Sequence, residues 1–215
     1  MDQEETTRLQ ASYDRVAQQY VQRIFNELEH KPLDRALLDR LAASVRGFGP
    51  ICDLGCGPGH VARYLHGQGA EVFGIDLSPS MVQQALRLNP GIDFRQGNML
   101  ALEDESESWG GIAAFYSIIH IPHQDLLDAL LELKRVLRPG GLLLLAFHLG
   151  QEILHLDEWW GEVVSLDFIF FRSDEMVAHL TTAGFELEEA IERDPYPDVE
   201  HQSRRAYIFA RKPKL

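Results

Sequence analysis

The sequence predicts an α/β fold: a three-layer sandwich of helices around a mostly parallel sheet that ends in a C-terminal antiparallel hairpin. Three observations predict it. Ile51-Cys52-Asp53-Leu54-Gly55-Cys56-Gly57-Pro58-Gly59-His60 reads as a short apolar strand, a glycine-rich turn and the start of a helix. Leu142 to Phe147 is apolar at every position, which suits a strand buried on both faces. Around these two runs, strand-like segments alternate with amphipathic helical ones. With 215 residues, 45% of them hydrophobic, the chain suffices for one well-buried domain and would be cramped as two.

Composition narrows the function. A formal net charge of −13 and the lack of a Lys/Arg run argue against a broad nucleic-acid surface, so no nucleic-acid partner is expected. No apolar run of membrane-spanning length and no leader pattern occur, so no membrane partner is expected and the expected location is cytoplasmic. Cys52 and Cys56 flank the glycine turn without further ligands nearby, so no metal is expected.

In chain order, Thr6 to Leu28 reads as an amphipathic helix with Val16, Tyr20 and Ile24 on its apolar stripe. Pro32 opens a second helix that ends near Gly47. The strand at 51–54 leads through the glycine turn into a helix expected to begin at Pro58. Its spacing is G-x-G-x-G, with His60 where the dinucleotide fingerprint places a third glycine. Pro58 removes an N–H that a pyrophosphate would use, and Asp53 adds a negative charge. Both features disfavour a nicotinamide dinucleotide and favour a ligand with a cationic amine.

Glu71 to Asp76 reads as the second strand, ending in a carboxylate 23 residues after Asp53. An acidic residue there is the usual acceptor for ribose hydroxyls. Ser78 is an N-cap with Pro79 at the first helical position, and Met81, Val82 and Ala85 follow on that helix. Ile92 to Gln96 alternates as a third strand, and 111–116 is the fourth. The helix from about 124 to 137 has Leu126, Leu127, Leu130, Leu131, Leu133 and Leu137 as its buried stripe. Arg138-Pro139-Gly140-Gly141 reads as a tight turn into the fifth strand. From His148 to Arg172 the pattern breaks into a segment rich in histidine and aromatics. Ser173-Asp174-Glu175 caps a helix to Ala183, and 185–191 with 205–210 form the closing antiparallel pair.

Asp53 followed by x-G-x-G-x-G, the strand end at Asp76 and the segment Leu133 to Gly141 resemble, in this order, the class I (Rossmann-like) S-adenosylmethionine-dependent methyltransferases. The resemblance covers roughly residues 10–147, and the later chain fits more loosely. It implies a seven-stranded sheet, S-adenosylmethionine as cofactor and S-adenosylhomocysteine as product. It implies that Asp53, Gly55, Cys56, Gly57 and Gly59 form the first cofactor motif and that Asp76 accepts the ribose hydroxyls. Leu77 and Met81 would wall the adenine, and Asn98 stands where the family commonly has an aspartate that accepts from the adenine amino group. Met99 and Ser117 complete the cofactor candidates. The Tyr13-Asp14-Arg15-Val16-Ala17-Gln18-Gln19-Tyr20 segment would place Tyr13 and Tyr20 over the cofactor, although as residues alone they also read as an ordinary docking helix.

The resemblance organises the chain as one domain: 1–47 capping the cofactor site, 48–147 the cofactor core, 148–172 a substrate-side insertion and 173–215 the final helix and hairpin. A general base is needed only for an acceptor that arrives protonated. His120 is the first candidate, His148 the second and His155 the third, each with the alternative of a hydrogen-bonded structural histidine. Ser117 and Ile118 stand where a metal-assisted catechol methyltransferase would need acidic ligands. Arg193, Arg204 and Arg205 are candidates to bind an anionic acceptor group, or to form ordinary salt bridges. The expected function is methylation of a small molecule. The alternatives are a protein that binds the cofactor without transferring methyl, an RNA or protein methyltransferase, and, more distantly, a nicotinamide enzyme.

Overall fold

Residues 1–214 are described by the structure, a computed structural model. Seven strands form one sheet: β1 (Ile51–Leu54), β2 (Val72–Asp76), β3 (Asp93–Gln96), β4 (Trp109–Phe115), β5 (Leu137–His148), β8 (Glu186–Arg193) and β9 (Arg205–Arg211), in the order β3-β2-β1-β4-β5-β9-β8. The first five run parallel, and β9 is antiparallel to both β5 and β8. Strand order reverses between β1 and β4, which opens a crevice at their carboxyl ends. Both the glycine turn after β1 and the loop after β4 face that crevice.

The apolar run in β5 splits its side chains between two cores. Leu142, Leu144 and Ala146 join Leu37, Leu38 and Leu41 of α2 (Pro32–Ser44) and Val61 and Leu65 of α3 (His60–Gly67). Leu143, Leu145 and Phe147 join Leu126, Leu130 and Leu133 of α5 (Leu126–Val136) and Met176 and Leu180 of α6 (Ser173–Thr182). Each leucine or phenylalanine side chain buried this way contributes about 1.5–3 kcal/mol, which is why a strand with no polar face is stable only between two helical layers. The helix after β2 is α4 (Pro79–Leu88), capped by Ser78 as the sequence predicts: its Oγ accepts from Met81 N–H at 3.1 Å.

Several expected boundaries move for local reasons. The first helix, α1, runs Gln3–Ile24 because Asp2 and Glu5 form a reciprocal capping box with two 2.8 Å bonds. Pro58 is not the first helical residue. Gly59, at φ +79°, is the N-cap of α3, and a Cβ there would meet the Phe94 ring at 2.6 Å. Arg138 to Gly141 is not a tight turn but a bulge inside β5: Trp109 pairs with Leu137, whereas Gly111 pairs with Leu142. Leu131 is 46% exposed, on the solvent face of α5, so the buried stripe is completed by Ala129 and Val136 instead. Arg172 rather than Ser173 is the N-cap of α6, and it ion-pairs with Asp174.

The segment after β5 holds a hairpin that the sequence did not announce, β6 (Ile153–Trp159) and β7 (Glu162–Ile169), forming a separate two-stranded sheet. Its two-residue turn places Trp160 at φ +56° and Gly161 at φ +87°, the left-handed pair that suits strand twist. The hairpin packs on α1: Val164 and Leu166 meet Val16 and Ala17, with Met81 of α4 beneath. Thus α1 is held between the sheet's crevice and the hairpin.

Candidate functional site

A first cleft of about 740 Å³ opens at the carboxyl ends of β1, β2 and β4. Among the candidates, Tyr13, Tyr20, Gly55, Gly57, Asp76, Leu77, Met81, Asn98, Met99, Ser117 and His120 line it together. Asp53, Cys56 and Gly59 do not.

Asp76 sits at its centre. Its Oδ2 accepts from Gly57 N–H at 2.7 Å and its Oδ1 from Ser78 N–H at 2.8 Å. Burial pushes its carboxyl up to about 6 against these two bonds. Each oxygen keeps a lone pair for a further donor. Gly55, at φ +72°, brings the turn so close to the β4 loop that a Cβ would lie 2.3 Å from Ser117 Cβ. Ser117 Oγ, buried in this wall, has no partner among the described residues. Asn98 Oδ1 accepts from Leu100 N–H at 3.0 Å, an Asx turn that aims the side chain and leaves its oxygen one lone pair.

Asp53 is 2% exposed and turns away from the cleft: its Oδ2 accepts from Ala62 N–H at 2.9 Å in the first turn of α3. Burial pushes it up to about 7. The two sequence arguments against a pyrophosphate therefore change their basis. Pro58 precedes the N-cap, and Asp53 does not face the cleft. Instead, Asp53 and Asp76 occupy N–H groups of the helix start and the glycine turn that a phosphate would need, and both are carboxylates.

His120 joins three elements. Its Nδ1 lies 2.8 Å from Asp167 O on β7, an oxygen that only accepts, so Nδ1 carries the hydrogen. Its Nε2, 2.6 Å from Tyr13 OH, therefore accepts the phenolic hydrogen from α1. Burial pushes the imidazole down to about 4. Asp14, which sequence reasoning passed over, pins the same stretch of α1 from the other side. Its Oδ1 accepts from Ser78 Oγ at 2.5 Å and from Ser80 N–H at 3.1 Å.

A second cleft of about 1050 Å³ shares Tyr13, Tyr20 and Tyr116 with the first. Trp159, Trp160, Phe168 and Phe170 supply aromatic walls, and Lys31, His148, Glu200 and Arg205 a polar end. Tyr116, the residue after β4, holds φ +53°, a left-handed conformation unusual for an aromatic residue. His148 stacks on Phe170 at 5.1 Å, and its Nδ1 lies 2.7 Å from Ser203 Oγ. Burial, with Arg205, His201 and Lys31 nearby, pushes it down to about 3. His155 lies on the exposed outside of the hairpin, bound to Asp167 and Asp157. Arg193 is spent on Glu200, Asp34 and Tyr207, and Arg204 on the surface carboxylates Glu192 and Asp194. Of the three, only Arg205 lines the second cleft. Among the described residues, no cluster of three or more His, Cys, Asp or Glu suited to a metal occurs, and no helix is long and apolar enough to cross a membrane.

Residues 51–141 match the family described as a methyltransferase domain. A malonyl-[acyl-carrier protein] O-methyltransferase of Enterobacter lignolyticus is 34% identical over 157 residues, 71% of this chain and 58% of that protein. A trans-aconitate 2-methyltransferase of Methylobacterium nodulans is 38% identical over 108 residues, 48% of this chain and 38% of that one. The chain spans only 50–66% of three of the malonyl-group relatives. Among solved structures, the DhpI–SAH complex superposes over the whole of both chains with a TM-score of 0.77 at 19% identity, a likeness of fold.

Proposed function

This chain belongs to the class I S-adenosylmethionine-dependent methyltransferases, and on that premise we propose that it binds S-adenosylmethionine in the first cleft and methylates a small molecule held in the second. The observation that carries the proposal is the shared wall. Two clefts meet at Tyr13, Tyr20 and Tyr116, so a donor in one and an acceptor in the other are brought face to face. The names of the relatives, one acting on malonyl-[acyl-carrier protein] and one on trans-aconitate, support a small acceptor group.

The first cleft's residues fit the cofactor. Asp76 offers one free lone pair on each oxygen to the two ribose hydroxyls, and the unpaired Ser117 Oγ supplies a further polar contact. Leu77 and Met81 wall the adenine, and Asn98 and Met99 border its edge. S-adenosylmethionine, when bound, supplies a methyl group already activated on a sulfonium. The chain has then to align the acceptor and exclude water. Tyr13 and Tyr20, clustered edge-on with Trp159 at 6.1 and 5.9 Å, do the second. His120 acts as a positioning residue, because its Nε2 is committed to the Tyr13 hydroxyl. His148 remains neutral at pH 7 and borders the acceptor.

Calorimetric titration with S-adenosylmethionine, S-adenosylhomocysteine and NAD tests the reading. Both adenosyl ligands should bind and NAD should not; folded protein that binds neither adenosyl ligand would overturn it. Affinity should also depend on pH. Only ionised Asp76 accepts from both hydroxyls, so binding should be level above about pH 7 and fall below about pH 6, approaching tenfold per pH unit. Asp76→Asn should bind weakly with a flat profile. Affinity that rises on acidification would remove the carboxylate from this role.

A further inference from the structure

We propose that the second cleft takes an acceptor bearing a carboxylate on a flat, apolar body, with Arg205 and Lys31 as the anchor for that group; this rests on the reading of that cleft as the acceptor site. Two buried cations at this end keep unspent hydrogen-bond donors. Arg205 is 2% exposed. Its Nη1 donates to the carbonyls of His201 and Ser203 at 2.8 and 2.6 Å, and its buried Nε ion-pairs with Glu200 Oε2 at 3.0 Å without making a hydrogen bond. Its Nη2 meets no acceptor among the described residues, although the side chain lines the cleft. Lys31, 3% exposed, donates one N–H to Glu27 Oε2 at 2.7 Å, and its Nζ ion-pairs with Glu200 Oε2 at 3.3 Å.

The acceptor atoms of Glu200 are already used, and those of Glu27 are each engaged once. Glu200 Oε1 accepts from Arg193 and Tyr196 N–H, and its Oε2 faces Arg193, Arg205 and Lys31. Glu27 Oε1 faces His60 Nε2, and its Oε2 is held by Lys31. What this end of the cleft still offers is donors, and they are cationic. An acceptor molecule with an ammonium group would find only the second lone pairs of Glu27, beside the charges of Lys31 and Arg205. One with a neutral carbonyl would satisfy the N–H groups without charge assistance, and a carboxylate satisfies them best.

Position and shape agree. The Lys31 Nζ and the Arg205 guanidinium each lie 5.5 Å from the Tyr116 ring, which borders both clefts, so the anchor is one ring away from the cofactor cleft. The remaining wall is aromatic, with Trp159 and Trp160 stacked at 4.3 Å.

The test is calorimetric, on full-length protein saturated with S-adenosylhomocysteine, using 4-butylbenzoate, 4-butylbenzamide and 4-butylbenzylamine. The acid should bind about tenfold or more tighter than the amide, and the amine weakest. Arg205→Gln should abolish the preference for acid over amide while S-adenosylhomocysteine affinity stays unchanged; Lys31→Met should reduce it. An amide or amine that binds as well as the acid, or an acid that fails to bind, overturns the proposal on wild-type protein alone, whether or not the variants fold. A preference that survives Arg205→Gln removes Arg205 from the anchor. Failure of S-adenosylhomocysteine itself to bind would count instead against the cofactor reading.

Discussion

Replacing Asp76 with alanine is expected to weaken S-adenosylhomocysteine binding by about 10- to 100-fold, or about 1.5–3 kcal/mol, the usual cost of losing hydrogen bonds to a charged group. Two effects add. The ribose loses its acceptors, and Gly57 N–H and Ser78 N–H lose the oxygens that hold the glycine turn and the start of α4 in place. A third effect opposes them in the ligand-free protein. The Asp76 carboxyl is pushed up to about 6, so the folded state carries its charge at a cost near neutral pH. Its contribution to stability is present below the unfolded value near 4 and is lost as pH rises through about 6. Thermal stability at neutral pH should therefore change less than affinity does. Calorimetry and melting on the same preparation separate the two. A variant that melts far lower and binds normally once cooled would assign Asp76 to the fold and not to the ligand.

The elements legible in the sequence are those whose causes are local. Ser78-Pro79 announces a helix start because the cap and the fixed φ act within four residues, and the structure places both there. The Leu142 to Phe147 run announces a doubly buried strand because each residue needs a hydrophobic neighbour on its own side. The hairpin β6–β7 was not legible. Its turn is Trp160-Gly161 rather than the usual Asn-Gly or Asp-Gly, and most of β6 is exposed, so apolar alternation is weak. Pro58 misled for a related reason. The proline suits a first helical position, but tertiary packing of Gly59 against Phe94 sets the helix start two residues later.

At the site, residue types were easier to read than directions. Tyr13, Asp76, Asn98 and His120 line one cleft, while Asp53, adjacent to the turn in sequence, points into α3. Strand alternation leaves that choice open until the helix above is placed. Tyr116 reads as an ordinary end of β4. Only its left-handed backbone and its place between two clefts single it out. Of the three arginines near the C-terminal hairpin, the sequence supplied no ranking, because the partners of Arg193 lie at Asp34 and Glu200.

Glu200→Ala is expected to destabilise the protein by about 3–5 kcal/mol, the scale for removing one partner from a buried ion pair. The Glu200 side chain is 2% exposed and faces Arg193, Arg205 and Lys31, each of them also largely buried, as well as Tyr196 N–H. Without it the cluster keeps three cations against Asp34 and Glu27 alone. Asp34 is already pushed up by burial, so it compensates poorly. For a chain of this length the loss corresponds to a fall of about 6–20 °C in melting temperature. Urea denaturation at neutral pH measures it directly, and a change below about 1 kcal/mol would mean that the cluster is solvated like a surface pair. Where the variant folds, Arg205 and Lys31 have lost the carboxylate that both ion-pair with, and Lys31 keeps only Glu27. Their donors then turn to the ligand, so the preference for the acid over the amide should increase. A preference that instead collapsed would show that Glu200 is needed to hold the two cations in place.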